Sequence, residues 1–138
     1  MHRIWLPFVF VFTYIFLEVV WFTFTSGVYK KHFQYIQPES GGKFLINKPA
    51  AIVSYIILFS VVWYFIVKDV KTYTVQQILM RSVMLGLATY GVYNATNLAT
   101  LRNYKVSVAL MDTCWGIFAI ATVSLVTFYL DKASTIRI

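Results

Sequence analysis

Charge is scarce in this chain of 138 residues: Asp, Glu, Lys and Arg make up 12% of it, and only 5 of those positions are acidic. That is too little polar material to coat a soluble globule of this size, so the bilayer is the expected solvent. Cysteine is nearly absent as well. Cys114 stands alone within an apolar run, which excludes an intrachain disulfide and a CxxC metal site. No HExxH, GxSxG or phosphate loop occurs, and the length leaves no room for a separate soluble catalytic module. What remains is 59% hydrophobic and 19% aromatic, with a mean hydropathy of +0.69.

The formal charge of +7 does not point to nucleic acid, because the basic residues sit between apolar runs and form no continuous stripe. They suit interfacial anchoring and anionic lipid headgroups instead. Four runs reach spanning length: about 4–28, 50–67, 78–101 and 106–130. The expected fold is therefore all-α, a single polytopic domain (1–138) forming a four-helix transmembrane bundle with both termini on the same face. His2 and Arg3 precede the first run in the manner of a signal peptide, but its length, its internal acid and the lack of a small-residue cleavage motif favour an uncleaved helix.

Pro7 falls in a first turn, where it removes no helical hydrogen bond, and Pro49 starts the second helix well. The second run carries only Ser54 and Ser60 as small polar residues and reads as a packing or lipid-facing helix without chemistry of its own. The longest polar connection, 29–48, turns at Pro38, Gly41 and Gly42. Its first part is either a short headgroup-layer helix or an ordered loop with aromatic anchors. His32 has no second ligand nearby, so no metal site is expected. Arg81 is placed to snorkel, and the tail DKASTIRI reads as exposed. The connection and the tail are the candidate protein-contacting segments. Lys and Arg are tied between the two faces, Arg3, Lys68, Lys71, Arg81, Lys132 and Arg137 against Lys30, Lys31, Lys43, Lys48, Arg102 and Lys105, so orientation stays open.

Polar side chains inside apolar helices are expensive and mark sites. At about 100° per residue, Gly86, Tyr90, Tyr93, Asn94 and Asn97 share an arc of about 100° on the third helix. The same arithmetic groups Tyr14, Glu18, Trp21 and Thr25 on the first, and Asp112, Trp115, Gly116 and Ala119 on the fourth. With alternating helix directions, Glu18, Asn94, Asn97 and Asp112 all fall within about 15 Å of the face opposite the termini. The candidate site is thus Glu18, Trp21, Tyr90, Tyr93, Asn94, Asn97, Asp112 and Trp115. LEVVWFTF around Glu18 and MDTCWGIF around Asp112 repeat one pattern, an acid with tryptophan three residues on and phenylalanine three beyond that. Such spacing puts indole and carboxyl on one face, and an inverted repeat is one reading of it. The alternative is that these groups only tie helices together. Ser82, Gly86, Gly91, Ala95, Ala99 and Gly116 supply small residues for close packing.

The run Tyr93-Asn94-Ala95-Thr96-Asn97-Leu98-Ala99-Thr100-Leu101, followed by Asp112-Thr113-Cys114-Trp115-Gly116, resembles the small predicted membrane proteins catalogued as domain of unknown function number 2177. Leu17-Glu18-Val19-Val20-Trp21 and the later Tyr29 are similar to that family's first helix. The resemblance implies four membrane helices and no established activity, and it points to bacterial membranes and large DNA viruses; no cofactor is expected. Family members usually carry aspartate where this chain has Glu18 and Asn94. The first difference keeps the acid, while the second removes one from any shared site.

Three functions compete at this point. The first is a non-enzymatic membrane protein whose polar core binds or passes a small polar solute or cation. The second is a structural membrane component of a larger assembly, such as a viral inner membrane or capsid. The third is an intramembrane enzyme using Glu18 and Asp112 as acid and base.

Overall fold

A computed structural model describes residues 4–36 and 46–136, with side chains to residue 134. Over those residues the chain is helical. α1 (Trp5–Ile36) is one unbroken helix of 32 residues, about 48 Å long and so longer than a hydrocarbon core of about 30 Å. It therefore overruns the sequence limit near residue 28, and Lys30 to Ile36 extend it instead of forming a separate short helix or a loop. The turn expected at Pro38, Gly41 and Gly42 lies outside the described residues.

α2 (Lys48–Phe65) starts at Asn47, whose Oδ1 accepts the Ala50 N–H at 3.1 Å, with Pro49 in the first turn. A 3-10 turn (Val67–Thr72) follows, and Thr74 then opens α3 (Val75–Gly86) with a capping box. Its hydroxyl accepts the Gln77 N–H at 3.2 Å, while the Gln77 side chain accepts the Thr74 N–H at 2.9 Å. A π turn (Leu87–Gly91) joins α3 to α4 (Val92–Thr100), so the three pieces make the third bundle helix. Leu101 to Lys105 turn the chain back through Asn103 at φ 67, a left-handed conformation that asparagine tolerates. α5 (Val106–Ile136) completes the bundle.

The bundle has two unlike halves. Toward the α2–α3 turn the core is mainly apolar, with Phe10, Val62, Ile66, Ile78, Ile120 and Val123 buried together, while Ser124, Thr127 and Asp131 of α5 are buried toward the same end. Phe10 meets Phe59 and Trp63 of α2 at ring separations of 5.8 and 6.1 Å. Val62 is the buried residue of α2. Nearer its start, Ile52, Val53, Ile56 and Ile57 are exposed, so α2 packs closely only in its later part.

The third bundle helix lies along α5. A Cβ on Gly86 would collide with Ile117, and one on Gly116 would collide with the Tyr90 ring. Gly86 and Gly116 are thus buried in this contact, Ser82 is buried with its hydroxyl donating to the Ile78 carbonyl, and Gly91 has only ordinary contacts with Leu87 and Thr113. Ala95 and Ala99 are exposed and do not pack the helix pair. On a wheel of about 100° per residue both fall roughly 140° to 180° from Tyr90, on the side away from α5.

α1, α2 together with its following turn, and α5 are long and apolar enough to cross a membrane. The chain is accordingly a multi-pass integral membrane protein in a lipid environment. The third helix is not among those three, because the π turn divides it and polar residues dilute it. The segment read as an exposed tail instead continues α5 to Ile136, and Asp131 is buried.

Candidate functional site

The polar half of the bundle is built from the two acid-plus-tryptophan motifs. Glu18 is 8% exposed. Its Oε1 accepts the Trp115 indole N–H at 3.1 Å, and its Oε2 accepts the Tyr55 hydroxyl at 2.8 Å. Asp112 is matched on α5: Oδ1 accepts the Tyr29 hydroxyl at 2.7 Å and Oδ2 accepts the Asn94 amide at 2.8 Å. Trp21 in turn donates to the Tyr29 oxygen at 3.2 Å. Each tryptophan therefore serves the acid of the other motif, Trp115 directly and Trp21 through Tyr29. The two indoles stack at 4.4 Å with 4° between their planes, which locks α1 against α5.

Asn94, 2% exposed on α4, joins the site to the link above it. Its amide also donates to the Tyr90 carbonyl at 2.9 Å, and its carbonyl accepts the Tyr104 hydroxyl at 2.8 Å. Partial burial pushes the Tyr104 phenol above its ordinary pKa, so it stays a donor. Its ring also meets the edge of His32, which is fully buried, at 4.8 Å. On the other side Tyr14 and Tyr90 share a hydroxyl contact of 3.0 Å. The π turn shapes this wall: the Val92 N–H reaches back to the Leu87 carbonyl, and the Thr89 hydroxyl donates to the Leu85 carbonyl at 2.8 Å.

Between α1, the early part of α2, the π turn and α5 lies a cavity of about 500 Å³. Glu18, Asp112, Trp21, Tyr55, Tyr90 and Tyr93 form its polar and aromatic wall, and Ala51, Ile57, Leu58 and Val61 of α2 its apolar one. It is the early part of α2, the part that packs least, that leaves this space.

Of the residues singled out in the sequence, Glu18, Trp21, Tyr90, Asn94, Asp112 and Trp115 come together in the network. Tyr93 is 55% exposed at the cavity lip. Asn97 is half-buried beside the Tyr104 hydroxyl. Sequence reasoning missed Tyr55 and Tyr104, and α2, read as inert, contributes a ligand to Glu18. A tyrosine two turns inside an otherwise featureless apolar run was the available signal for Tyr55. Arg81, exposed near the start of the third helix, reaches back to α2, with Nη1 donating to the Phe65 carbonyl at 3.4 Å and its guanidinium 4.2 Å from the Tyr73 ring.

Among known proteins, a family described as a predicted membrane protein (DUF2177) matches residues 4–129. No curated protein and no solved structure matches the chain.

Proposed function

The chain belongs to the DUF2177 family of predicted membrane proteins, and from that premise we propose that it is a binding protein whose intramembrane cavity takes up a small polar solute or cation. The observation that carries this reading is the cavity of about 500 Å³ with Glu18 in its wall. Small-molecule sites have volumes of roughly 300–1,000 Å³, and they combine a mostly apolar lining with a few fixed polar groups. Charged groups at membrane depth mark solute or ion paths by default. The third bundle helix crosses the membrane in this reading as the polar inner member, which brings both termini to one face. Basic residues at the helix ends then rest on anionic headgroups.

A second reading is favoured by one feature. Every oxygen of Glu18 and Asp112 accepts a hydrogen bond from a neighbouring helix or turn of helix, which suits a purely structural tie in a larger membrane assembly. Glu18→Gln separates the two, because it keeps the shape and removes the charge: its carbonyl still accepts the Trp115 N–H, and its amide donates to the Tyr55 oxygen once that hydroxyl rotates. A binding role predicts that Gln leaves the detergent melting temperature near wild type and abolishes solute binding or flux in liposomes. A structural role predicts wild-type liposomes that pass and bind nothing, with Gln equal to Glu and Ala destabilised by roughly 1–3 kcal/mol through unsatisfied partners.

A further inference from the structure

We propose that the cavity's occupant is an organic ammonium bearing a short apolar tail, with the charged head against Glu18 between aromatic rings and the tail along α2. This rests on the cavity reading above and names its ligand class. Charge comes first. The four donors to Glu18 and Asp112 are Trp115, Tyr55, Tyr29 and Asn94, all neutral. The ion pair found among the described residues is Lys68 with Asp69, at the far turn. Carboxylate oxygens carry a second lone pair each, so both acids retain acceptor capacity toward the cavity.

The rings give the second argument. Trp21, Tyr55, Tyr90 and Tyr93 line the same space, and such rings attract an ammonium within about 6 Å of their faces, most strongly where water is excluded. The cation–ring pairs among the described residues involve Tyr64, Tyr73, Tyr35 and Phe128. None of these rings lines the cavity. A hard metal ion would ask for more oxygen ligands, and no group of three His, Cys, Asp or Glu side chains able to hold one exists among the described residues. The third argument is the opposite wall: Ala51, Ile57, Leu58 and Val61 offer an alkyl chain apolar contact, while a small inorganic cation would leave them unused.

The full chain in dodecyl maltoside is titrated with octylammonium, octanol and tetramethylammonium, and binding is followed by calorimetry and tryptophan fluorescence. Octylammonium is expected to bind saturably, with octanol and tetramethylammonium each at least tenfold weaker. Glu18→Gln should weaken octylammonium at least tenfold and leave octanol unchanged. Leu58→Trp, which fills the apolar wall without touching a carboxylate, should block octylammonium and keeps the test valid if the Gln variant does not fold. Octanol binding as tightly as octylammonium overturns the ammonium while sparing the cavity. Tetramethylammonium binding as tightly overturns the tail. Saturable binding of none of the three overturns the ligand class alone, and the binding reading beneath it falls only if the liposomes also bind and pass no polar solute or cation.

Discussion

Glu18 and Asp112 are held in the same way, one neutral donor per carboxylate oxygen, and this decides which single changes hurt most. Tyr29 donates to Asp112 and accepts from Trp21, so Tyr29→Phe strands one acceptor and one donor together. Thermal unfolding in detergent should register a loss of roughly 1–3 kcal/mol per stranded group. Gly116→Ala acts through volume, because the added methyl has to displace the Tyr90 ring. Overpacking of this kind costs about 1–3 kcal/mol, and the same unfolding assay should show it, whereas Gly27→Ala, facing open space within α1, should raise stability by about 0.5–1 kcal/mol. The acid-plus-tryptophan pairs were legible because spacing of three on a helix is local information. Tyr55 and Tyr104 were not, because their partners depend on how helices meet, and a wheel drawn on one helix carries no distance to another.

At the scale of elements, local chemistry announced the ends of helices better than their limits. Thr74 and Gln77 spell a capping box in sequence, and Thr74→Ala should lower stability by about 1 kcal/mol in the same detergent melt. α1 runs past residue 28 because no proline or second glycine follows Gly27 before Pro38, and a long apolar run says where a membrane can be crossed, not where hydrogen bonding stops. The π turn left no such mark. Its effect is plain at Tyr93, which the wheel groups with Tyr90 and Asn94 but which is 55% exposed, while Asn94 is buried. Wide turns of this kind often sit at functional sites, and here it forms one wall of the cavity.

For the whole molecule the number of crossings turns on the third helix, which the π turn divides and polar residues dilute. α5 is 31 residues long, about 46 Å, so its two ends belong on opposite sides. The turn at Val67 and Val70 packs in the core with Ile120 and Val123, far along α5 from the link that carries Tyr104. If the third helix crosses, residue 71 shares a side with residue 132, and residue 105 lies opposite both. Replacing exposed Cys114 with serine and placing single cysteines at Lys71, Lys105 and Lys132 turns this into a labelling experiment. In sealed, sidedness-defined vesicles, a membrane-impermeant maleimide should label positions 71 and 132 from one side only and 105 from the other only. Labelling of 71 and 105 from the same side would mean that the third helix lies along the interface. The Asn94 contact with Asp112, and with it the site, would then sit at the headgroups and not at membrane depth.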